Sequence, residues 1–324
     1  MKLQQLRFLL AVAQNDLNIT AAAERLFTSQ PGVSKQIRLL EEELGVTIFE
    51  RTGRQLTGVT DAGKAILERA EAVLREVDSI RDVASEFSDP SAGSLSIATT
   101  HTQARYVLPT VIKAFRARYP AVDLQMHQGN PEQISEMAAG GAVDFAIATE
   151  ATADFGNLIM MPCYHWNRTI ITPCDHPLRE VRPLTLEAVN EHPIVTYVFG
   201  FTGRSQLDKT FRRRGLEPNV VFTATDADVI KTYVRLGVGI GILARMAYDP
   251  ALDPDLCALD ATRLFPPSTT RLGFRPGLFL RSYHYDFIEL FASHLTREVV
   301  QSAVEAASEQ ERNALFSDLE LLEY

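Results

Sequence analysis

The chain has 324 residues, 46% of them hydrophobic and 23% charged, with a formal net charge of −9. That length accommodates two or three domains with proper cores, and the acidic balance excludes a protein that coats nucleic acid or an anionic membrane over its whole surface. Cys163, Cys174 and Cys257 are odd in number, far apart and without a C-x-x-C pair, so they indicate neither a disulfide framework nor a zinc site and fit a reducing cytoplasm.

Lys2 and Arg7 ahead of a short apolar run, Phe8 to Ala13, imitate a signal peptide, but the run flows directly into an amphipathic helix over 3–15, so export is rejected. No stretch approaches the length of a membrane span. A compact helix over 20–26 follows, which the Thr20 hydroxyl can cap. After a polar turn, Ser29 caps the next helix and Pro31 sits in its first turn, where a missing N–H costs little. Val33, Ile37, Leu40 and Leu44 give that helix one buried stripe, leaving Gln30, Ser34, Lys35 and Arg38 outside. This is the layout of a helix-turn-helix, whose second helix enters the major groove by its N-terminal part. Glu41, Glu42 and Glu43 crowd the other end, which gives the helix a direction on DNA.

Residues 45–60 change character. Val46, Ile48 and Phe49 alternate with polar residues, Gly53 marks a turn, and Leu56, Val59 and Thr60 resume an extended pattern, as in a wing. Arg51 and Arg54 at its tip would meet phosphate or the minor groove. The first 60 residues carry a net +1, so DNA affinity has to come from a small basic face of Lys35, Arg38, Arg51 and Arg54. From 61 to 87, Ile66, Ala70, Val73, Val77, Ile80, Ala84 and Phe87 alternate steps of four and three, a coiled-coil seam that predicts a dimerisation helix. A hinge at 88–94 follows.

Beyond it strands and helices alternate. Strands are predicted at 95–99, 122–126, 144–149, 168–171, 194–198, 220–223 and 240–243, with 278–280 returning to the first lobe. Helices fall at 106–119, 133–139, 205–214, 227–236 and 283–295. The pattern implies two lobes of mostly parallel sheet and a cleft at the carboxyl ends of the strands. Those ends are rich in hydroxyls: Thr100, Thr102 and Gln103 follow the first strand, Thr149 and Glu150 end another, and Thr202 precedes the helix containing Ser205. Such groups hold small oxyanions without a full counter-charge, although simple capping explains most isolated threonines.

Catalytic motifs are not sustained. Gly203-Arg204-Ser205 begins like a nucleophile elbow, but Leu207 takes the final glycine position. Gly239, Gly241 and Ala244 fit a dinucleotide fingerprint, yet the segment follows a helix and reads as a buried strand. The seven histidines show no metal spacing, so neither a metal nor another cofactor is expected.

The strings MKLQQLRF, TSQPGVSKQIRLLEEELGV, GSLSIATTHTQARY, DFAIATEA, MPCYHWNR, IVTYVFGFTGRSQLD and DADVIKTYVRLG together resemble the LysR-type transcriptional regulators, in the branch that controls cysteine and sulfur-assimilation genes. The resemblance covers nearly the whole chain. It implies an α/β protein with an all-α winged helix-turn-helix N-terminal domain and a two-lobed periplasmic-binding-protein-like effector domain. The corresponding division is 1–60 for the DNA-binding domain, 61–92 for the linker helix and hinge, 93–300 for the effector domain and 301–324 for a tail without assigned role. It further implies a cytoplasmic activator, not an enzyme, that binds double-stranded promoter DNA through Thr20, Ser29, Gln30, Pro31, Ser34, Lys35, Arg38, Arg51 and Arg54 and contacts RNA polymerase. The linker helix would pair two copies and a homotetramer would follow. The effector would be N-acetylserine or O-acetylserine, or an anion such as sulfate or thiosulfate. It would bind at Thr100, Thr102, Gln103, Thr149, Glu150, Trp166 and Thr202. Two other readings remain open at this point: a regulator of the same family sensing an unrelated carboxylate, and a two-lobed solute-binding protein or enzyme, which leaves the first 87 residues without a purpose.

Overall fold

The computed structural model describes residues 1–53, 55–149, 155–201, 203–317 and 319–324. Contacts divide the chain into two units, Met1–Phe87 and Ser88–Tyr324.

In the first unit, α1 (Leu3–Gln14), α2 (Ile19–Arg25) and α3 (Gln30–Leu44) pack around Leu9, Val12, Ala22, Val33, Ile37 and Leu40, all 0% exposed. The cap of α2 is Asn18 rather than Thr20: its side chain accepts from the N–H groups of Thr20 and Ala21, because the helix begins two residues earlier than the threonine pattern suggests. Ser29 caps α3 by accepting from Gly32 N–H, with Pro31 in the first turn. Gly45 ends the helix at φ 68°, a left-handed conformation that costs glycine nothing. Leu44 is 40% exposed and does not extend the buried stripe, since the stripe has rotated off the core by the last turn.

The wing is a two-stranded antiparallel hairpin of β1 (Phe49–Thr52) and β2 (Gln55–Val59). α4 (Asp61–Ser88) starts against it: a Cβ on Gly63 would lie 2.2 Å from the Ile48 carbonyl oxygen, so only glycine permits this approach. Along α4, Ala70 is buried and Ile66 packs on the core, whereas Val73, Ile80 and Phe87 are 40%, 69% and 87% exposed.

The second unit holds two sheets. The first contains β3 (Gly93–Thr99), β4 (Val122–Gln128), β5 (Phe145–Ala148), β6 (Ile159–Trp166), β12 (Ser268–Phe274) and β13 (Leu322–Glu323), in the order β13-β6-β12-β5-β3-β4. The second contains β7 (Arg168–Pro173), β8 (Ile194–Tyr197), β9 (Val220–Ala224), β10 (Ile240–Ala244) and β11 (Leu256–Asp260), in the order β11-β7-β10-β8-β9. Their helices are α5 (His101–Tyr106), α6 (Leu108–Arg118), α7 (Pro131–Ala139), α8 (Leu186–Asn190), α9 (Arg204–Arg213), α10 (Ala227–Arg235) and α11 (Ser282–Phe291), followed by α12 (Arg297–Glu305) and α13 (Glu309–Ala314).

Parallel pairing holds only for β3 with β4 and β5 and for β8 with β9 and β10, plus the short β13 on β6. β12 runs antiparallel to β5 and β6, and β7 antiparallel to β10 and β11. The sheets are therefore mixed rather than mostly parallel. The returning strand is β12, not 278–280, and the chain crosses between sheets twice, from β6 to β7 and from β11 to β12.

Cys174 and Cys257 form a disulfide with Cα atoms 5.1 Å apart, which corrects the expectation of three free thiols. Antiparallel pairing of β7 with β11 brings them together across 83 residues of sequence, and spacing alone does not reveal that pairing. Cys163 is a buried free thiol. Lys231 anchors α10: its ammonium donates to Asp253 Oδ2 at 3.1 Å and to the Ala247 carbonyl, and Arg235 joins the other Asp253 oxygen at 2.7 Å.

Candidate functional site

On α3, Gln30, Pro31, Ser34, Lys35 and Arg38 line one shallow outer groove with Leu39. Among the described residues Lys35 and Arg38 form no ion pair, so both cations are available to phosphate. Ser29, at the helix cap, and Thr20, on α2, are also exposed. Arg51 differs from the expectation. Its guanidinium lies 3.1 Å from Glu41 Oε2 while Glu41 Oε1 accepts from Ile48 and Phe49 N–H. Glu41 is thus a bracket between α3 and the wing, not one of three carboxylates simply held away from DNA. Arg54 lies outside the described residues. Phe27, in the turn before α3, is 99% exposed at φ 51°, a surface aromatic that the pattern reading passed over.

The second site is built on elements of the first sheet, with Arg168 and Tyr197 of the second sheet beside it. Gln103 on α5 donates from Nε2 to Thr270 Oγ1 at 3.2 Å and accepts from the Tyr164 hydroxyl. The Thr270 and Thr149 hydroxyls are 3.1 Å apart, and the Trp166 indole N–H reaches Thr149 Oγ1 at 3.3 Å. Four elements thereby meet in one network: α5, the end of β5, β6 and β12. The network is neutral and well buried, with Gln103, Trp166 and Thr270 each at most 1% exposed.

Thr102 is 1% exposed, and its hydroxyl has no hydrogen-bond partner of good geometry among the described residues, an uncommon state for a buried polar atom. Beside it lies Tyr197, whose hydroxyl accepts from Ala244 N–H and whose pKa burial pushes up to about 12, so it stays a neutral donor at physiological pH. Thr100 is buried and makes no capping bond. Arg168 closes the far side: its guanidinium donates to the Gly203 carbonyl at 2.7 Å and lies 5.2 Å from the centre of the Trp166 ring.

Of the residues expected for effector binding, the structure brings Gln103, Thr149 and Trp166 into direct connection and sets Thr100 and Thr102 on the adjoining segment. Glu150 and Thr202 lie outside the described residues. Tyr164, Arg168, Tyr197 and Thr270 were not anticipated. For Tyr164 a signal existed in the string MPCYHWNR, but Thr270 lies on a strand whose pattern does not stand out.

Family models match two parts of the chain: the bacterial regulatory helix-turn-helix protein, lysR family, over residues 3–64, and the LysR substrate binding domain over residues 88–296. The chain belongs to the LysR family of transcriptional regulators. This LysR-type regulator is 52% identical over 321 residues to the HTH-type transcriptional regulator CysB of Haemophilus influenzae, an alignment covering 99% of each chain. It is 49% identical to the HTH-type transcriptional regulator SsuR of Burkholderia cenocepacia, over 95% of this chain and 100% of that one. Among solved structures, the cofactor-binding domain of the Cbl transcriptional regulator matches with a TM-score of 0.64 and 42% identity, covering 66% of this chain and 95% of that one. As a LysR regulator the protein binds DNA through its helix-turn-helix domain and a small ligand through its substrate-binding domain, and it is not an enzyme. No helix among the described residues is long and apolar enough to cross a membrane.

Proposed function

We propose that this regulator acts in the cytoplasm as an activator of cysteine biosynthesis and sulfur-assimilation genes. Its effector is N-acetylserine, O-acetylserine or a sulfate- or thiosulfate-type anion bound between the two sheets of the second unit. The observation that carries the reading is the neutral network of Gln103, Thr149, Thr270 and Trp166 with the buried Thr102 beside it. A set of neutral donors suits an oxyanion or a small acylated amino acid that must be bound and released. The similarity to CysB and SsuR over nearly the full chain supports the same branch of the family.

The exposed seam on α4 supports pairing of two copies, which would present two α3 helices to a two-fold related promoter site and build towards a homotetramer. Ligand bound more tightly in one arrangement of subunits would shift the spacing of the paired readers and so alter contact with RNA polymerase. Calorimetric titration of the full chain with sulfate, thiosulfate and N-acetylserine tests the effector class. Saturable binding of at least one is expected. No heat from any of the three, with binding of an unrelated carboxylate, would instead support the sensor of a different metabolite.

A further inference from the structure

His101 opens α5, and the fold brings it to the N-terminus of α10, where Asp226 and Asp228 stand. One ring nitrogen of His101 and one oxygen of each carboxylate lie within 4.8 Å of one another, and all three residues are half-buried. The set draws on helices packed with different sheets and on positions far apart in the chain, which is why histidine spacing carries no metal signature.

Each member has bonding capacity to spare. His101 Nδ1 is buried and has no hydrogen-bond partner among the described residues, an uncommon state for a ring nitrogen. Asp226 caps α10 through Oδ1, which accepts from Val229 N–H at 2.8 Å, and it forms no ion pair among the described residues. Asp228 is oriented by the Tyr106 hydroxyl, which donates to Oδ1 at 2.8 Å, the kind of outer bond that fixes a ligand carboxylate. Lys231 and Arg105 approach Asp228 at 3.2 and 3.6 Å, which leaves Asp226 as the uncompensated charge of the pair. Simple capping accounts for Asp226, but not for the orphaned nitrogen or for its approach to two carboxylates.

We propose that His101, Asp226 and Asp228 bind a divalent transition-metal ion of the zinc class. One imidazole and two carboxylates match the nitrogen and oxygen donors that such ions take at about 2.0–2.2 Å. A tetrahedral ion holds its ligand atoms roughly 3.3 Å apart, so small side-chain rotations close the triangle, and water completes the fourth position. The ion joins α5 to α10 and so ties the first-sheet side of the unit to the second. Its competitor at Asp228 is the exposed Arg105 guanidinium, which can swing into solvent.

Cobalt(II) is the probe, because its visible absorption reports nitrogen and oxygen ligation and a separate near-ultraviolet band reports thiolate. The full chain, stripped with a chelator, is titrated with cobalt chloride and then zinc chloride, as wild type and as His101→Ala, Asp226→Asn and His192→Ala. The His192 ring lies 4.7 Å from that of His176, so its variant controls for adventitious binding at another histidine pair. One equivalent of cobalt per wild-type chain, displaced by zinc, and a zinc-dependent rise in thermal midpoint are expected. His101→Ala and Asp226→Asn should each weaken binding by at least about tenfold and abolish that rise, and His192→Ala should match wild type. Absence of saturable binding, unchanged affinity in His101→Ala or Asp226→Asn, or loss in His192→Ala would each overturn the proposal. Asn caps a helix as well as Asp does, so Asp226→Asn keeps the start of α10 and gives the answer even if His101→Ala does not fold.

Discussion

Glu41 shows how much one side chain can change the reading of a helix. By pattern it belongs to an acidic cluster at the trailing end of α3, yet its carboxylate accepts two backbone N–H groups at the entry to β1 and holds Arg51. Removing a carboxylate that serves backbone donors costs about 2–3 kcal/mol. Glu41→Ala should therefore lower the thermal midpoint of the first unit and weaken DNA binding, with Glu41→Gln recovering part of both. Unchanged melting in Glu41→Ala would show that the bracket is ornamental. The disulfide teaches the same lesson at residue scale. Cysteine spacing says nothing when two strands 83 residues apart are neighbours in a sheet.

At the scale of elements, the first unit was readable because its signals are local. Ser29, Pro31 and Gly45 bound α3, and Val33, Ile37 and Leu40 mark its inner face. The second unit was only partly so. β6 and β12 pair with each other across about a hundred residues, and no local period separates a strand that crosses between sheets from one that stays. The same limit hid Thr270 while leaving Gln103 and Thr149 visible at strand ends, and Trp166 entered only through the family resemblance. Two outcomes test the elements themselves. Lys35→Ala should weaken binding alike on all DNA sequences and reduce the salt slope by about one, whereas Gln30→Ala should change base preference. Equal behaviour of the two would contradict the orientation assigned to α3. For α4, Ile80→Glu places a charge in the exposed seam and should shift sedimentation towards smaller species without lowering the thermal midpoint. Unchanged association would remove α4 from the dimer contact.

At the scale of the whole molecule, regulation needs the two sheets of the effector unit to hold a defined relation. Tyr106, on the first-sheet side, packs against the core of the second and donates its hydroxyl to Asp228 at 2.8 Å on α10. Lys231 lies 3.2 Å from the same carboxylate and Arg105 lies 3.6 Å away. Burial raises the Asp228 pKa, but the bonds from Tyr106 and Lys231 outweigh it and leave the group below its ordinary value. The stabilisation is therefore fully present above the unfolded value near pH 4 and is lost as pH falls through the lower folded value. The thermal midpoint should drop as pH falls below about 4, and the drop should shrink in Asp228→Asn. An identical acid profile in both proteins would exclude this clasp. The central claim, that a small ligand between the sheets governs how paired α3 helices engage DNA, is tested most directly by footprinting. The full chain is footprinted on the promoter of a cysteine-biosynthesis gene from its own genome, with and without saturating N-acetylserine. The account predicts a footprint whose length or hypersensitive positions change with ligand; an identical footprint in the two conditions, with ligand shown to be bound, would contradict it.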